Sequence, residues 1–128
     1  MSRPYKPIGY NSVSPYLIVN GAQKMIDLLK AVFNAEELRR FDRPDGTIMH
    51  AEIKVDDSVL MVGDASDAYP PNQHLLHIYV PDVDETFSKA ISLGCVTEEA
   101  PQQREGDPDR RGSFKDFSGN SWAIGTQL

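Results

Sequence analysis

Leu17-Ile18-Val19 and Leu60-Met61-Val62-Gly63 return in the second half of the chain as Ile78-Tyr79-Val80 and Trp122-Ala123-Ile124-Gly125. The first pair is offset by 61 residues and the second by 62. Self-similarity at one period means one supersecondary unit built twice. After the first stretch, Ala22, Met25, Ile26, Leu29, Val32 and Phe33 form a stripe at helical spacing, and Val83, Phe87, Ala90 and Ile91 form another after its copy. Asn20 with Gln23, and Asp82 with Glu85, supply capping pairs, and Gly94 sits where a helix ends on a left-handed residue. Each helix follows one short apolar strand and precedes three more: 13–20, then 35–41, 47–55 and 58–63; and 74–80, then 96–100, 113–117 and 121–125. Asp56-Asp57 and Ser118-Gly119 fit two-residue hairpin turns, and Pro44-Asp45-Gly46 a longer connection.

The fold class is therefore α+β: two βαβββ repeats, about 13–64 and 73–126, joined by a proline-bearing linker at 65–72 within one domain spanning 1–128. Neither repeat can bury both faces of a four-stranded sheet alone. Pairing is expected to give curved mixed sheets with helices outside and a concave cleft between the repeats.

The composition narrows the function. Thirteen Lys and Arg against 19 Asp and Glu leave a net charge of −6, which disfavours nucleic acid as a partner. No run of 18 apolar residues occurs, so no membrane span is expected. The opening Met1-Ser2-Arg3-Pro4-Tyr5-Lys6-Pro7 lacks the apolar core of a signal peptide, and the single Cys95 suits a reducing compartment; both point to the cytoplasm. Cys95 has no basic neighbour in sequence to activate it and reads as a small buried hydrophobe. Trp122 alternates with Ala123 and reads as core, and no glycine-rich phosphate loop occurs.

Several motifs taken together resemble the vicinal oxygen chelate superfamily, which includes glyoxalase I, extradiol dioxygenases and bleomycin-resistance proteins, and within it the PhnB-like subgroup. In the first half they are Pro15-Tyr16-Leu17-Ile18-Val19, Ala22, Ile26-Asp27, Phe33-Asn34-Ala35, His50-Ala51-Glu52, Ser58-Val59-Leu60-Met61 and Asp64. In the second they are Val80-Pro81-Asp82-Val83-Asp84, Gly106-Asp107, Arg111-Gly112 and Asp116 with Gly119 and Trp122. Phe117 departs from the subgroup's usual proline and Asn34 from its usual glycine, both at turns. The resemblance implies the glyoxalase/bleomycin-resistance fold and a homodimer. It also implies metal ligands on the first and last strands of each repeat, at positions that here hold Ser14, Met61, Leu75 and Ala123. None is a usual transition-metal ligand, so no cofactor is expected.

Strand alternation from those positions turns Tyr16 and Ile18, and His77 and Tyr79, toward the cleft. A two-residue turn at Asp56-Asp57 sets Glu52 opposite Met61, which turns His50 and Glu52 to the cleft and Ala51, Ile53 and Val55 to the helix. The same rule in the second half sets Phe114 opposite Ala123. The polar stretch from Gln102 to Gly112 is expected to be a loop flapping over the cleft, with Arg110 or Arg111 anchoring a ligand's carboxylate or oxyanion. The expected ligand-binding set is thus Tyr16, His50, Glu52, His77, Tyr79, Arg111 and Phe114. It would suit a small aromatic or carbonyl-bearing organic molecule. The alternative is a lyase or dioxygenase using His50 and Glu52 as an acid–base pair, or His50, Glu52 and His77 as a displaced metal site.

Overall fold

Strand order follows from where the turns fall. The computed structural model describes residues 4–128, so Met1–Arg3 of the stretch read against a signal peptide lie outside the described residues. The first half holds β1 (Tyr16–Val19), α1 (Ala22–Phe33), β2 (Glu36–Asp42), β3 (Ile48–Val55) and β4 (Ser58–Asp64). The second holds β5 (Leu75–Tyr79), α2 (Val83–Ser92), β6 (Val96–Gln103), β7 (Asp109–Lys115) and β8 (Ser121–Gln127). The sheets are ordered β1-β4-β3-β2 and β5-β8-β7-β6, each with one parallel pair, β1 with β4 and β5 with β8. This is the βαβββ pattern twice, in two mixed sheets. The described chain separates into two units, one running to Lys30 with Asn34–Pro71 and the other made of Ala31–Phe33 with Asn72–Leu128. Among the described residues no helix is long and apolar enough to cross a membrane.

In the first unit Asp56 takes a left-handed φ of 52° in a two-residue turn. The resulting register sets Glu52 against Met61 and Ala51 against Val62, as the sequence implies. Ala51, Ile53 and Val55 are buried on one face with Leu17, Val19 and Val62, and His50 and Glu52 lie on the other. The α1 stripe of Ala22, Met25, Ile26 and Leu29 is buried.

Both ends of α1 depend on backbone geometry. Asn34 closes it at φ 57°, the left-handed position that favours glycine. At its start Asn20 and Gln23 make no cap: Gly21 at φ 103° is the N-cap residue and has no side-chain cap bond. The carboxylate of Asp64, at the end of β4, supplies the acceptor instead, taking the N–H groups of Ala22 at 2.8 Å and Gly21 at 3.2 Å on Oδ1 and that of Ile48 at 2.7 Å on Oδ2. The second helix is capped as read, with Asp82 accepting from the Glu85 N–H and Gly94 at φ 99°.

The second unit departs from expectation at two places. The β7–β8 connection is not a two-residue turn at Ser118-Gly119. It is a wider one organised by Asp116, whose buried carboxylate accepts from the N–H groups of Ser118 and Asn120, the Asn120 amide and the Trp122 indole. The wider turn shifts the ladder by one residue, so Phe114 pairs with Trp122 and Ser113 with Ala123. A one-residue slip moves side chains to the opposite face. Phe114 is therefore core, 1% exposed and stacked on Phe33 at 6.3 Å between ring centres, and does not line a binding face. Trp122 lies 5.4 Å from the same Phe33 ring and is buried, as expected.

The stretch expected to flap is mostly ladder. Gln102 pairs with Arg111 and Gln103 with Arg110, so β6 and β7 extend into it and only 104–108 connects them. Irregularities between Thr97 and Gln102 accommodate Pro101 on this edge strand.

Two substitutions test this description. Phe114→Ala should cost about 3–5 kcal/mol in urea unfolding, the value of a buried aromatic, where a residue lining an open cleft would cost far less. Asp64→Ala should cost about 1–2 kcal/mol in the same assay although the position is distant in sequence from α1, because it strips acceptors from the helix N-terminus.

Candidate functional site

The open face of the first sheet carries a hydrogen-bonded chain. Tyr16 on β1 and His50 on β3 meet across β4, with the phenol oxygen 2.7 Å from His50 Nδ1 and the rings 5.4 Å apart. The strand between them holds Gly63, where an added Cβ would lie 3.6 Å from the Tyr16 hydroxyl and 2.9 Å from the Met49 carbonyl oxygen. A side chain there would collide with the Met49 carbonyl, while the Tyr16 hydroxyl would be in ordinary van der Waals contact. On its other edge His50 Nε2 is 2.8 Å from Glu52 Oε2, and Phe41 stacks on the imidazole at 6.2 Å.

Glu52 is only 6% exposed and is held from three directions. Tyr10, in the segment before β1, donates to Oε1 at 2.5 Å, His50 bonds Oε2, and Arg39 Nε lies 3.6 Å from Oε1. Burial pushes this carboxyl up, but the bonds from Tyr10 and His50 and the charges of His50 and Arg39 outweigh it and hold the group below its usual value. An ionised Glu52 can only accept, so His50 Nε2 carries hydrogen, and in neutral His50 Nδ1 is the acceptor for the Tyr16 hydroxyl. Burial pushes the Tyr16 phenol above its usual value, with Arg43 opposing.

Beside this chain lies a pocket of about 430 Å³ lined by Tyr16, Ile18, Arg43, Met49, His50, Gly63, Asp64 and Tyr69. Arg43 is set in place by Nη1 donating to Thr47 Oγ1 at 3.1 Å and Nη2 to the Asp64 carbonyl at 3.2 Å. The lining is aromatic and aliphatic, with Arg43, His50 and Asp64 as its charged or polar members.

The second sheet repeats the crossing with different groups. His77 on β5 and Arg111 on β7 meet across Gly125 of β8, Arg111 Nη1 donating to His77 Nε2 at 3.2 Å. Arg111 is further tied to Asp107 at 2.9 Å and to Asp109 at 2.8 Å, and Tyr79 donates to Asp109 at 2.7 Å. Arg110 makes a two-point pair with Asp84. Both arginines thus sit on β7 in ion pairs rather than on a loop. Of the residues read from sequence, Tyr16, His50 and Glu52 come together in the first unit, and His77, Tyr79 and Arg111 come together in the second. Tyr10, Arg43 and Tyr69 were not anticipated; they lie outside the periodic strands and no local pattern marks them. Cys95 is buried, and burial, aided by Asp116, pushes its thiol to about 11, an unreactive state.

The family model for the Glyoxalase/Bleomycin resistance protein/Dioxygenase superfamily matches residues 9–124. The chain belongs to this superfamily. An uncharacterised protein of Mycobacterium bovis is 28% identical over 125 residues, covering 89% of this chain and 82% of the relative. Among solved structures, TioX from Micromonospora sp. ML1 superposes with a TM-score of 0.72 at 22% identity, covering 92% of this chain and 97% of that one. TnmS3, an antibiotic binding protein from Streptomyces sp. CB03234, gives 0.68 at 17% identity, with 93% and 100% covered. A PhnB protein from Bacillus cereus gives 0.67 at 12% identity, with 91% and 99% covered.

The superfamily's metal positions do not fit a metal in this member. Met61 offers a thioether beside Tyr16 and Glu52 in the ladder, Leu75 is a hydrocarbon 77% exposed, Ala123 pairs with His77 and Ser113, and Ser14 offers one hydroxyl. Such a set lacks the imidazole and carboxylate donors that iron, nickel, manganese or zinc require. Among the described residues no three His, Cys, Asp or Glu side chains gather where they could hold a metal ion.

Glu52→Ala should cost about 1–3 kcal/mol at neutral pH by leaving the Tyr10 hydroxyl and His50 N–H without their acceptor. Because the folded carboxyl titrates below its unfolded value of 4.5, its stabilisation is complete above that value and lost as pH falls through the folded one. Urea midpoints measured from pH 7 to pH 3 should therefore fall more steeply for the wild type than for Glu52→Gln.

Proposed function

We propose that this member of the superfamily binds a small aromatic or carbonyl-bearing organic molecule, without a metal, in the pocket beside Tyr16 and His50. The observation that carries the reading is the pocket itself. Its volume of about 430 Å³ falls in the range of small-molecule sites, and its lining combines Tyr16, Tyr69, Ile18 and Met49 with few polar groups, chiefly Arg43 and His50. Ring faces and aliphatic side chains supply non-directional burial, and the polar groups orient the ligand. The likeness to an antibiotic binding protein supports a binding role, and the donor set at Ser14, Met61, Leu75 and Ala123 argues against the metal-dependent lyase or dioxygenase alternative. The protein acts in the cytoplasm and as a homodimer in this reading.

Chelator-treated protein screened by thermal melting against aromatic carboxylates, phenols and quinones tests it. A ligand at a hundred times its Kd should stabilise the fold by about 2.7 kcal/mol, a melting shift of several degrees. Ile18→Trp, which fills the pocket from β1, should abolish that shift. A flat response across the panel, or an unchanged shift in Ile18→Trp, would overturn the assignment.

A further inference from the structure

The Tyr16–His50–Glu52 chain ends at the wall of the pocket, and Arg43 stands on the same wall. We infer that the pocket selects weakly acidic hydroxyl compounds, phenols and enols, and binds them as anions by passing their proton through Tyr16 to His50. The inference rests on the pocket's being a small-molecule site and names the ligand class that the site takes.

The transfer balances without any co-reactant. The ligand's O–H bond breaks and its proton passes to the Tyr16 oxygen, while the proton of Tyr16 passes to His50 Nδ1. Tyr16 ends as a phenol again, His50 becomes an imidazolium, and the ligand is left as a phenolate or enolate. Nothing is oxidised or reduced. Each group is placed for its part. His50 Nδ1 is the acceptor because Nε2 is committed to Glu52 at 2.8 Å, and Glu52 is the anion that stabilises the imidazolium. The same logic orients a histidine base between a hydroxyl and a carboxylate in acyl-transfer enzymes.

The charges facing the pocket favour an anion. Arg43 has five N–H donors and uses one on Thr47 and one on Asp64, which leaves others to meet an oxyanion. The opposing charge on the wall is Asp64, whose carboxylate is bound to three backbone N–H groups at the start of α1 and β3. Tyr69 also lines the pocket. Around the imidazole, Tyr16 stands on β1, Glu52 on β3, Arg39 on β2 and Tyr10 in the segment before β1.

Para-nitrophenol is the probe, since only its anion absorbs strongly in the visible, and para-nitroanisole, which has no proton to give, is the control. Bound nitrophenol should ionise at least one pH unit below the free compound, corresponding to roughly tenfold tighter binding of the anion than of the neutral form. That shift should vanish in Tyr16→Phe and His50→Gln at nitrophenol concentrations that saturate each variant, and nitroanisole affinity measured alongside reports what each substitution costs in binding alone. Near-ultraviolet circular dichroism confirms that the variants are folded, and Glu52→Gln, predicted to reduce the shift without removing it, gives a graded third variant. If nitroanisole binds but nitrophenol ionises at its free value, the pocket reading stands and the proton transfer is overturned. A shift that survives in Tyr16→Phe and His50→Gln but is lost in Arg43→Met also overturns it, leaving charge alone as the cause. If neither compound binds, the pocket reading and this inference fail together.

Discussion

A buried carboxylate without partners costs several kcal/mol, and Glu52 avoids that cost only because three parts of the first unit converge on it. Tyr10 comes from the segment before β1, Arg39 from the neighbouring strand, and His50 from two residues away on the same face of β3. The carboxylate sets the orientation of the imidazole, and the imidazole sets the position of the Tyr16 hydroxyl. The chemistry of the pocket wall is thus fixed from behind, by a group the pocket does not itself expose.

That arrangement depends in turn on register. The two-residue turn at Asp56 places Glu52 opposite Met61, and a slip by one residue would send the carboxylate to the buried face among Leu17 and Val62. The second unit shows how much rests on turn length alone. There Asp116 gathers four donors into a wider turn, and the slip moves Phe114 into the core.

Local pattern accounts for what was legible in the sequence. The alternation of Ala51, Ile53 and Val55 with His50 and Glu52 exposes its two faces within six residues, and the stripes of α1 and α2 are equally local. The repeat supplied the order of elements along the chain. Asp64 was illegible as a cap because it reaches Ala22 across 42 residues, and Tyr10 meets Glu52 across the same separation. Arg43 precedes the Pro44-Asp45-Gly46 connection, and nothing local shows that its guanidinium would be held against the Asp64 carbonyl. Phe114 was misassigned because Ser118-Gly119 has the composition of a tight turn, and the indole and amide that widen it act through a carboxylate rather than through backbone preference. Arg110 and Arg111 were placed on a loop because Gly106, Pro108 and Gly112 break the strand pattern, whereas the ladder tolerates them on and beside an edge strand.

The two units share one device and use it for different ends. In each, a ring from the first strand reaches over a glycine of the last strand to a side chain on the third: Tyr16 over Gly63 to His50, and His77 over Gly125 to Arg111. The glycine is what the fold repeats; the partners are free to change. In the first unit the crossing joins the Tyr16 hydroxyl to an imidazole backed by the Glu52 carboxylate. In the second, His77 accepts from a guanidinium already engaged by Asp107 and Asp109, so its Nε2 faces a permanent cation. The crossing geometry thus recurs in both units, and the group placed across the glycine decides which hydrogen bonds it makes.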